Sequence, residues 1–282
     1  MYPMNDRITF LRRAGGVCFH NVYREIISLK NLFSAWREFQ MGKKKREDVA
    51  EFSLKAEQYI FSLAEILTEE RYCHGPYEFF PVSDPKPRDI HKAAVLDRVL
   101  HHAIVRILSP LFDRIFIFDS YSSRKEKGSH KAIQRFVKFA WKLSRNNTRT
   151  VWILKCDIKK YFDSVNQEIL IKLINNRIPE EKLQKILINI IKSFSKSQDR
   201  GIPLGNLTSQ LFSNIYLNEL DQFLKRRIQI KHYIRYADDF VIMHLSREYL
   251  EKIIGEIENF LSINLDLQLN KGKVFINKWH KG

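Results

Sequence analysis

HYIRYADDFVIMHL, residues 232–245, sets two β-rich runs on either side of Ala237-Asp238-Asp239. Strand formers flank small and acidic turn residues, so the segment reads as a hairpin with acids at its tip. A related segment lies upstream. Val151–Cys156 (VWILKC) is a short apolar run rich in β-formers, and Asp157 follows it directly. This reads as a buried strand ending in a carboxylate. If the two strands are neighbours, Asp157 and Asp238 meet at one edge of a sheet. Phosphoryl transfer needs such a meeting, because two Mg²⁺ ions about 3.5–4 Å apart, bridged by carboxylates, bind both the attacking and the leaving oxygen. Mg²⁺ takes only one or two protein ligands and completes its shell with water and phosphate, so two or three aspartates suffice. Taken singly, each aspartate also fits a turn or a helix cap. Their joint presence in a strongly basic chain lifts the metal reading.

Working outward, residues 166–195 hold two helical stretches separated at Pro179, GIPLG at 201–205 is a turn, and 206–228 carries Leu207, Leu211, Phe212, Ile215, Leu220, Phe223 and Leu224 at helical spacing. After the hairpin, Leu250, Ile253, Ile254, Ile257, Phe260 and Leu261 mark a helix, and residues 265–277 alternate toward a final strand. The order strand, helices, hairpin, helix, strand is an α+β pattern, an antiparallel sheet backed by helices on one face. Upstream, helical spacing covers 21–40, 47–69, 91–110 and 128–145. PYEFFPVSDPKPRDI interrupts it as extended strand and turn, since its prolines break helices. The basic run KKKR at Lys43–Arg46 reads as a joint between two helices, with a nuclear address as the weaker alternative.

Composition narrows the classes further. The 282 residues carry 48 Lys+Arg against 32 Asp+Glu, a net charge of +16, and 44% are hydrophobic. That is enough apolar material for a core and far from a disordered basic tail. No run approaches the roughly 18 apolar residues that span a bilayer. The start lacks the apolar block of a secretory signal. Cys18, Cys73 and Cys156 are widely spaced, which speaks against a disulfide framework or zinc knuckle and for a cytoplasmic location. The positive excess favours a polyanionic partner, nucleic acid before an anionic membrane.

Three longer stretches carry a family signature: KCDIKKYFDSV from Lys155, GIPLGNLTSQLFSNIYLNELD from Gly201 and IRYADDFVIM from Ile234. Here the sequence resembles the reverse transcriptases. KCDIKKYFDSV resembles their first carboxylate motif and RYADDF their tyrosine-any-Asp-Asp motif, while DPKPRDIHKAAVLDRVLHHAI and FDSYSSRKEKGSHKA resemble the fingers motifs. The resemblance runs in family order from about residue 50 to the end. It is closest to the reverse transcriptases of diversity-generating retroelements, in which the usual QGxxxSP becomes a hydrophobic residue followed by GxxxSQ; Leu204–Gln210 (LGNLTSQ) has that form.

The resemblance implies a right-hand polymerase: an N-terminal helical extension over 1–70, fingers over 71–150, and a palm over 151–282 with part of the fingers inserted at 166–200. It implies an RNA-directed DNA polymerase that binds an RNA template, an RNA–DNA duplex and dNTPs. Asp157 and Asp238 become the ligands of two Mg²⁺ ions, with Mn²⁺ as a substitute, and Asp239 sits beside them as a further ligand or as an orienter of the primer end. The Ile158 carbonyl completes one coordination sphere. Phe162 is the steric gate against a ribose 2′-OH. Arg124, Lys125 and Lys127 grip the triphosphate. Leu204, Gly205 and Gln210 shape the pocket around the base pair, where leucine in place of glutamine goes with low-fidelity copying, mainly opposite template adenines. Lys273, with Lys271 as a competitor, protonates the leaving pyrophosphate. Lys86 and Arg88 touch template phosphates and Tyr236 touches nucleic acid.

The chain stops at NKWHKG, where relatives continue into a primer-grip hairpin and a thumb, so a thumb is expected to be missing. Two alternatives remain beside the mutagenic enzyme. One is an anti-phage defence or retron-type reverse transcriptase, and the other is a non-catalytic RNA-binding module of the same shape. A small basic accessory protein is implied by the resemblance alone, and no membrane partner is expected.

Overall fold

A computed structural model describes residues 8–13, 16–83 and 87–279, apart from the side chains of Arg12, Arg13 and Arg88. The chain divides into two compact units. Unit 1 is residues 1–114 with 167–212, and unit 2 is residues 115–166 with 213–282. The boundary at 114 differs from the one drawn at 150 from the sequence: residues 115–150 cluster with the strands that follow them.

Unit 1 opens with a hairpin, β1 (Thr9–Arg13) and β2 (Gly16–His20), which the periodicity did not signal. Two five-residue strands are too short to show an alternation. Four helices follow: α1 (Val22–Ile27), α2 (Leu29–Gln40), α3 (Glu47–Leu54) and α4 (Ala56–Thr68). The single helix read over 21–40 is broken at Ser28, whose hydroxyl caps α2 by accepting from the Asn31 N–H at 3.2 Å. A second hairpin, β3 (Glu78–Ser83) with β4 (Pro87–Lys92), takes the proline-rich stretch. Helix α5 (Val95–Asp113) then packs on α1 and α2. Buried Asn31 stitches these helices together. Its amide donates to the carbonyls of Ile26 at 2.9 Å and Ala103 at 3.0 Å. Val22, Ile26, Leu32, Val99, Leu100 and Ile104 close over it. Full burial of such side chains stabilises by about 1.5–3 kcal/mol each. The unit is completed by α8 (Gln167–Asn175), α9 (Glu181–Lys192) and the first residues of α10 (Leu207–Gln222).

Unit 2 contains α6 (Ser129–Ser144), β5 (Trp152–Asp157), the one-turn helix α7 (Tyr161–Ser164), the rest of α10 with a π turn at Phe223–Arg227, β6 (Tyr233–Tyr236), β7 (Asp239–His244), α11 (Arg247–Leu265), a 3₁₀ turn at Lys271–Lys273 and β8 (Phe275–Lys278). Its sheet is antiparallel with strand order β6-β7-β5-β8. The α+β reading holds, with one correction: helices cover both faces of the sheet, not one. Ile153, Val241, Met243 and Ile234 face Ala132, Phe139 and Ala140 of α6. The alternate residues Leu154, Cys156, Phe240 and Ile242 are also buried, on the side where α11 packs. Strand side chains alternate in direction, so a strand apolar at nearly every position needs cover on both sides. The final strand is also shorter than the alternation suggested, because residues 266–274 form a loop and the 3₁₀ turn. Among the described residues no helix is long and apolar enough to cross a membrane.

Candidate active site

Antiparallel pairing of β5 with β7 sets Asp157 directly opposite Asp239 at one end of the unit 2 sheet. Directly opposed residues have Cβ atoms about 4.5–5.5 Å apart, so these two carboxylates are neighbours. Asp238 sits in the turn between β6 and β7, after Ala237 in the left-handed region at φ +54°. Burial is the main reason the Asp238 carboxyl lies above the usual carboxylate range; the charges of Asp157 and Asp239 add to it, against a hydrogen bond from its own backbone.

Asp157 is 5% exposed and both its oxygens are engaged. Oδ2 accepts from Lys273 Nζ at 2.6 Å, and Oδ1 accepts from Asn270 Nδ2 at 3.1 Å. The Asn270 N–H also donates to the Asp157 carbonyl at 2.8 Å. The bond to Asp157 holds the Lys273 ammonium above its ordinary value, and its neighbour Lys271 has no such bond. On the other carboxylate, Lys155 Nζ stands 3.6 Å from Asp239 Oδ1. Three carboxylates therefore face two ammonium groups. The donor set fits a hard divalent cation, since it is all carboxylate oxygen and holds one acid that burial and like charge disfavour in its ionised form. Among the described residues no group of three or more His, Cys, Asp or Glu is placed to hold a metal ion by itself. An open arrangement suits a cation that keeps water and phosphate in its shell.

The turn that carries Asp238 is braced by a group the sequence reading passed over. Arg235 is fully buried. Its Nε donates to Asp221 Oδ1 at 2.8 Å and its Nη2 to Asp221 Oδ2 at 2.7 Å. Its Nη1 donates to the Ala237 carbonyl at 3.0 Å and to Asn214 Oδ1 at 3.2 Å. Tyr233 Oη donates to Asp221 Oδ1 at 2.6 Å. A two-pronged charged pair in a dry site thus fixes the backbone one residue before Asp238. Breaking such a pair from one side costs about 3–5 kcal/mol, because the remaining charge stays buried. For Arg235 the signal was present in the sequence: an arginine inside an apolar strand run. Asn270 was missed because nothing local marks it.

The other residues singled out fall in three places. In unit 2, Ile158 forms an isolated bridge with Leu269, just past the acid. The partly buried Phe162 meets Tyr161 edge-to-face at 5.5 Å, and Tyr161 Oη is anchored on the Ser213 carbonyl at 2.9 Å. Arg124 Nη1 donates to the carbonyls of Ile117 at 2.7 Å and Ser120 at 2.8 Å, Lys127 Nζ donates to the Phe118 carbonyl at 2.8 Å, and Lys125 is exposed. Tyr236 is 42% exposed and pairs with Asp239 across the hairpin. In unit 1, the Leu204 carbonyl accepts from the His91 N–H at 3.2 Å, Gly205 has φ +104°, and Gln210 is exposed on α10. Lys86 lies outside the described residues, and so does the side chain of Arg88.

The family model described as "Reverse transcriptase (RNA-dependent DNA polymerase)" matches residues 83–280, well over half of the chain. The chain belongs to the reverse transcriptase family. Its similarity to Protein YkfC of Escherichia coli (strain K12) is 30% identity over 236 residues, 70% of this chain and 61% of that protein. With the group II intron-encoded protein LtrA of Lactococcus lactis subsp. cremoris it shares 27% identity over 178 residues, 61% of this chain and 26% of that one. The chain thus spans less than two thirds of the length of these relatives. An apo telomerase structure from Candida tropicalis, truncated of its C-terminal domain, superposes with a TM-score of 0.52 at 15% identity, over 74% of this chain and 50% of that one. At that identity the likeness is one of fold.

Proposed function

We propose that the chain is the fingers and palm of an RNA-directed DNA polymerase, with unit 2 as the palm and unit 1 supplying the fingers. The observation that carries this reading is the opposition of Asp157 and Asp239 across two paired strands, with Asp238 on the adjoining braced turn. Asp157 and Asp238, with Asp239 and the Ile158 carbonyl beside them, would hold Mg²⁺ or Mn²⁺, and ions so held bind the attacking and leaving oxygens of an in-line displacement. A primer 3′-OH attacks the α-phosphate of a dNTP and pyrophosphate leaves. Lys273, already seated on Asp157, is the general acid for that leaving group. Phe162 excludes a ribose 2′-OH. Arg124 and Lys127 shape their loop through the carbonyls they bind, and exposed Lys125 is the group that would face the triphosphate. Most of the catalysis in such a site is positioning and electrostatics.

The finer reading is the low-fidelity enzyme of a diversity-generating retroelement, supported by LGNLTSQ at 204–210. Leu204 offers no hydrogen-bonding side chain where glutamine would. Fewer fixed contacts lower the penalty for a mispair. On this reading the protein works in the cytoplasm on an RNA template, and RNA would bridge it to a small basic accessory protein, because two basic surfaces repel. Primer extension on an RNA template tests the activity. Asp238→Ala should abolish Mg²⁺-dependent dNTP incorporation while RNA binding persists, and full activity in that variant would refute the assignment.

A further inference from the structure

Within unit 2, helix α10 carries a polar stripe. Asn214, Asn218, Asp221 and Gln222 stand at i, i+4, i+7 and i+8, so they share one side of the helix. That spacing usually marks an apolar face, yet here the first three are buried polar residues. A buried polar group costs free energy unless it is hydrogen-bonded, so each of these is tied to a fixed partner.

Two of the partners lie on one segment of chain. Gln222 Nε2 donates to the Ile115 carbonyl at 3.0 Å and to Asn218 Oδ1 at 3.0 Å. Asn214 Nδ2 donates to the Ser122 carbonyl at 3.0 Å. Residues 115–122 are therefore fastened to α10 at both ends. Between the fastenings the same segment lies along β6: the Arg235 N–H donates to the Asp119 carbonyl at 2.9 Å, and the Tyr121 N–H donates to the Arg235 carbonyl at 2.9 Å.

Asn214 stands at the end nearer the chemistry. It is 3% exposed, and its Oδ1 accepts from Arg235 Nη1 at 3.2 Å. The same Nη1 donates to the Ala237 carbonyl at 3.0 Å. A guanidinium can only donate and a carbonyl can only accept, so one orientation of the amide serves both neighbours. Aspartate could not donate to Ser122, and leucine could serve neither neighbour. A hydrogen-bonded chain thus runs from the Ser122 carbonyl through the Asn214 amide and the Arg235 guanidinium to the Ala237 carbonyl. Its first member opens the loop that carries Lys125, and its last precedes Asp238.

We propose that Asn214 is a positioning residue: its amide sets the basic loop at 122–127 in register with the turn of Asp238, so that a triphosphate gripped at Lys125 meets the carboxylates in line. This role presupposes the polymerase reading and adds to it a residue that acts through others.

Single-turnover incorporation on an RNA template, with the dNTP concentration varied, tests it. Asn214→Ala should weaken dNTP affinity and slow the maximal rate together, each roughly two- to tenfold, the size of one hydrogen bond. The deciding measurement is a double-mutant cycle with Lys125→Ala. A loop out of register loses the benefit of its lysine, so Lys125→Ala should cost less affinity in the Asn214→Ala chain than in the wild type. Effects that simply multiply would overturn the proposal, and so would wild-type affinity and rate in Asn214→Ala. Hydrogen exchange gives a readout without catalysis. Amides of residues 120–128 should exchange faster in Asn214→Ala, while those of β5 and β7 keep their wild-type rates. Exchange unchanged in 120–128, or faster throughout unit 2, would also overturn it. Asn214→Ser, whose hydroxyl can serve one neighbour, carries the same measurements if the alanine variant does not fold. Incorporation lost on Asp238→Ala while the cycle multiplies removes the role of Asn214 alone; full activity in Asp238→Ala removes the polymerase reading itself.

Discussion

The acidic end of unit 2 and the basic region around Lys43 of unit 1 handle charge in opposite ways. In unit 2 each strand-borne carboxylate has a counter-charge within reach, Lys273 at 2.6 Å and Lys155 at 3.6 Å, and the turn beside them is tied down by Arg235. In unit 1 Asp48 is paired with Arg98 and Lys92, and burial with the charges of Arg46 and Arg98 lowers Lys43. The first region is built to hold its shape before any ligand arrives. The second crowds like charges together. The difference teaches that a basic protein is not basic uniformly: the net charge of +16 hides a compensated acidic centre and a crowded basic one.

The sharpest way to break this contrast is at the brace. Asp221→Asn should cost about 3–5 kcal/mol, since it leaves Arg235 buried and unpaired, and urea denaturation should show a lower midpoint. A midpoint within error of wild type would mean that the brace does not hold unit 2. At Lys273 the effect should be catalytic. Lys273→Ala should reduce the single-turnover rate of incorporation roughly 10²-fold with little change in dNTP affinity. A change in affinity alone would make Lys273 a binding group instead.

In unit 1, Gly205→Ala should destabilise by about 1–2 kcal/mol, because φ is +104° and the added Cβ would meet Ile90 Cγ2 at 3.1 Å. The thermal melt would read it. Acid sensitivity should also differ between the regions. Burial pushes His101 down to about 3 in the folded chain from its ordinary 6.5, so the unfolded chain binds the extra proton between those values. Stability is therefore lost as pH falls from 6.5 toward 3, at up to about 1.4 kcal/mol per pH unit for one proton. His101→Phe should flatten that part of the stability–pH curve, and an unchanged slope would show that His101 is not its source. The smallest effect is expected at Leu204→Gln, a shift of a few-fold in misincorporation opposite template adenine, about 1 kcal/mol or less. An unchanged error spectrum would detach Leu204 from fidelity.

The carboxylate strand and the acidic hairpin were legible because both are short β-runs ending in residues that cannot continue them. The α+β class followed from element order. The cover on both sheet faces was not legible, because which residues of β5 and β7 share a face is known only once the register Asp157↔Asp239 is known. Arg235 stands out as a charge in an apolar run and Asp221, in NELDQ, does not, and only the fold brings them to 2.7 Å. Asn270 and Lys273 reach Asp157 from more than a hundred residues away, through a loop whose alternation reads as strand and marks neither residue as its partner.

Unit 2 is assembled from two separate lengths of chain, 115–166 and 213–282, with a piece of unit 1 between them. A ribosome-bound chain therefore exposes β5 long before β7 exists to pair with it. Asp157 emerges earlier still relative to Asn270 and Lys273, the groups that bond its oxygens. Non-local pairing of this kind folds slowly and leaves apolar strand edges open meanwhile. The residue at the heart of the proposed chemistry thus waits more than a hundred residues for its native environment during synthesis.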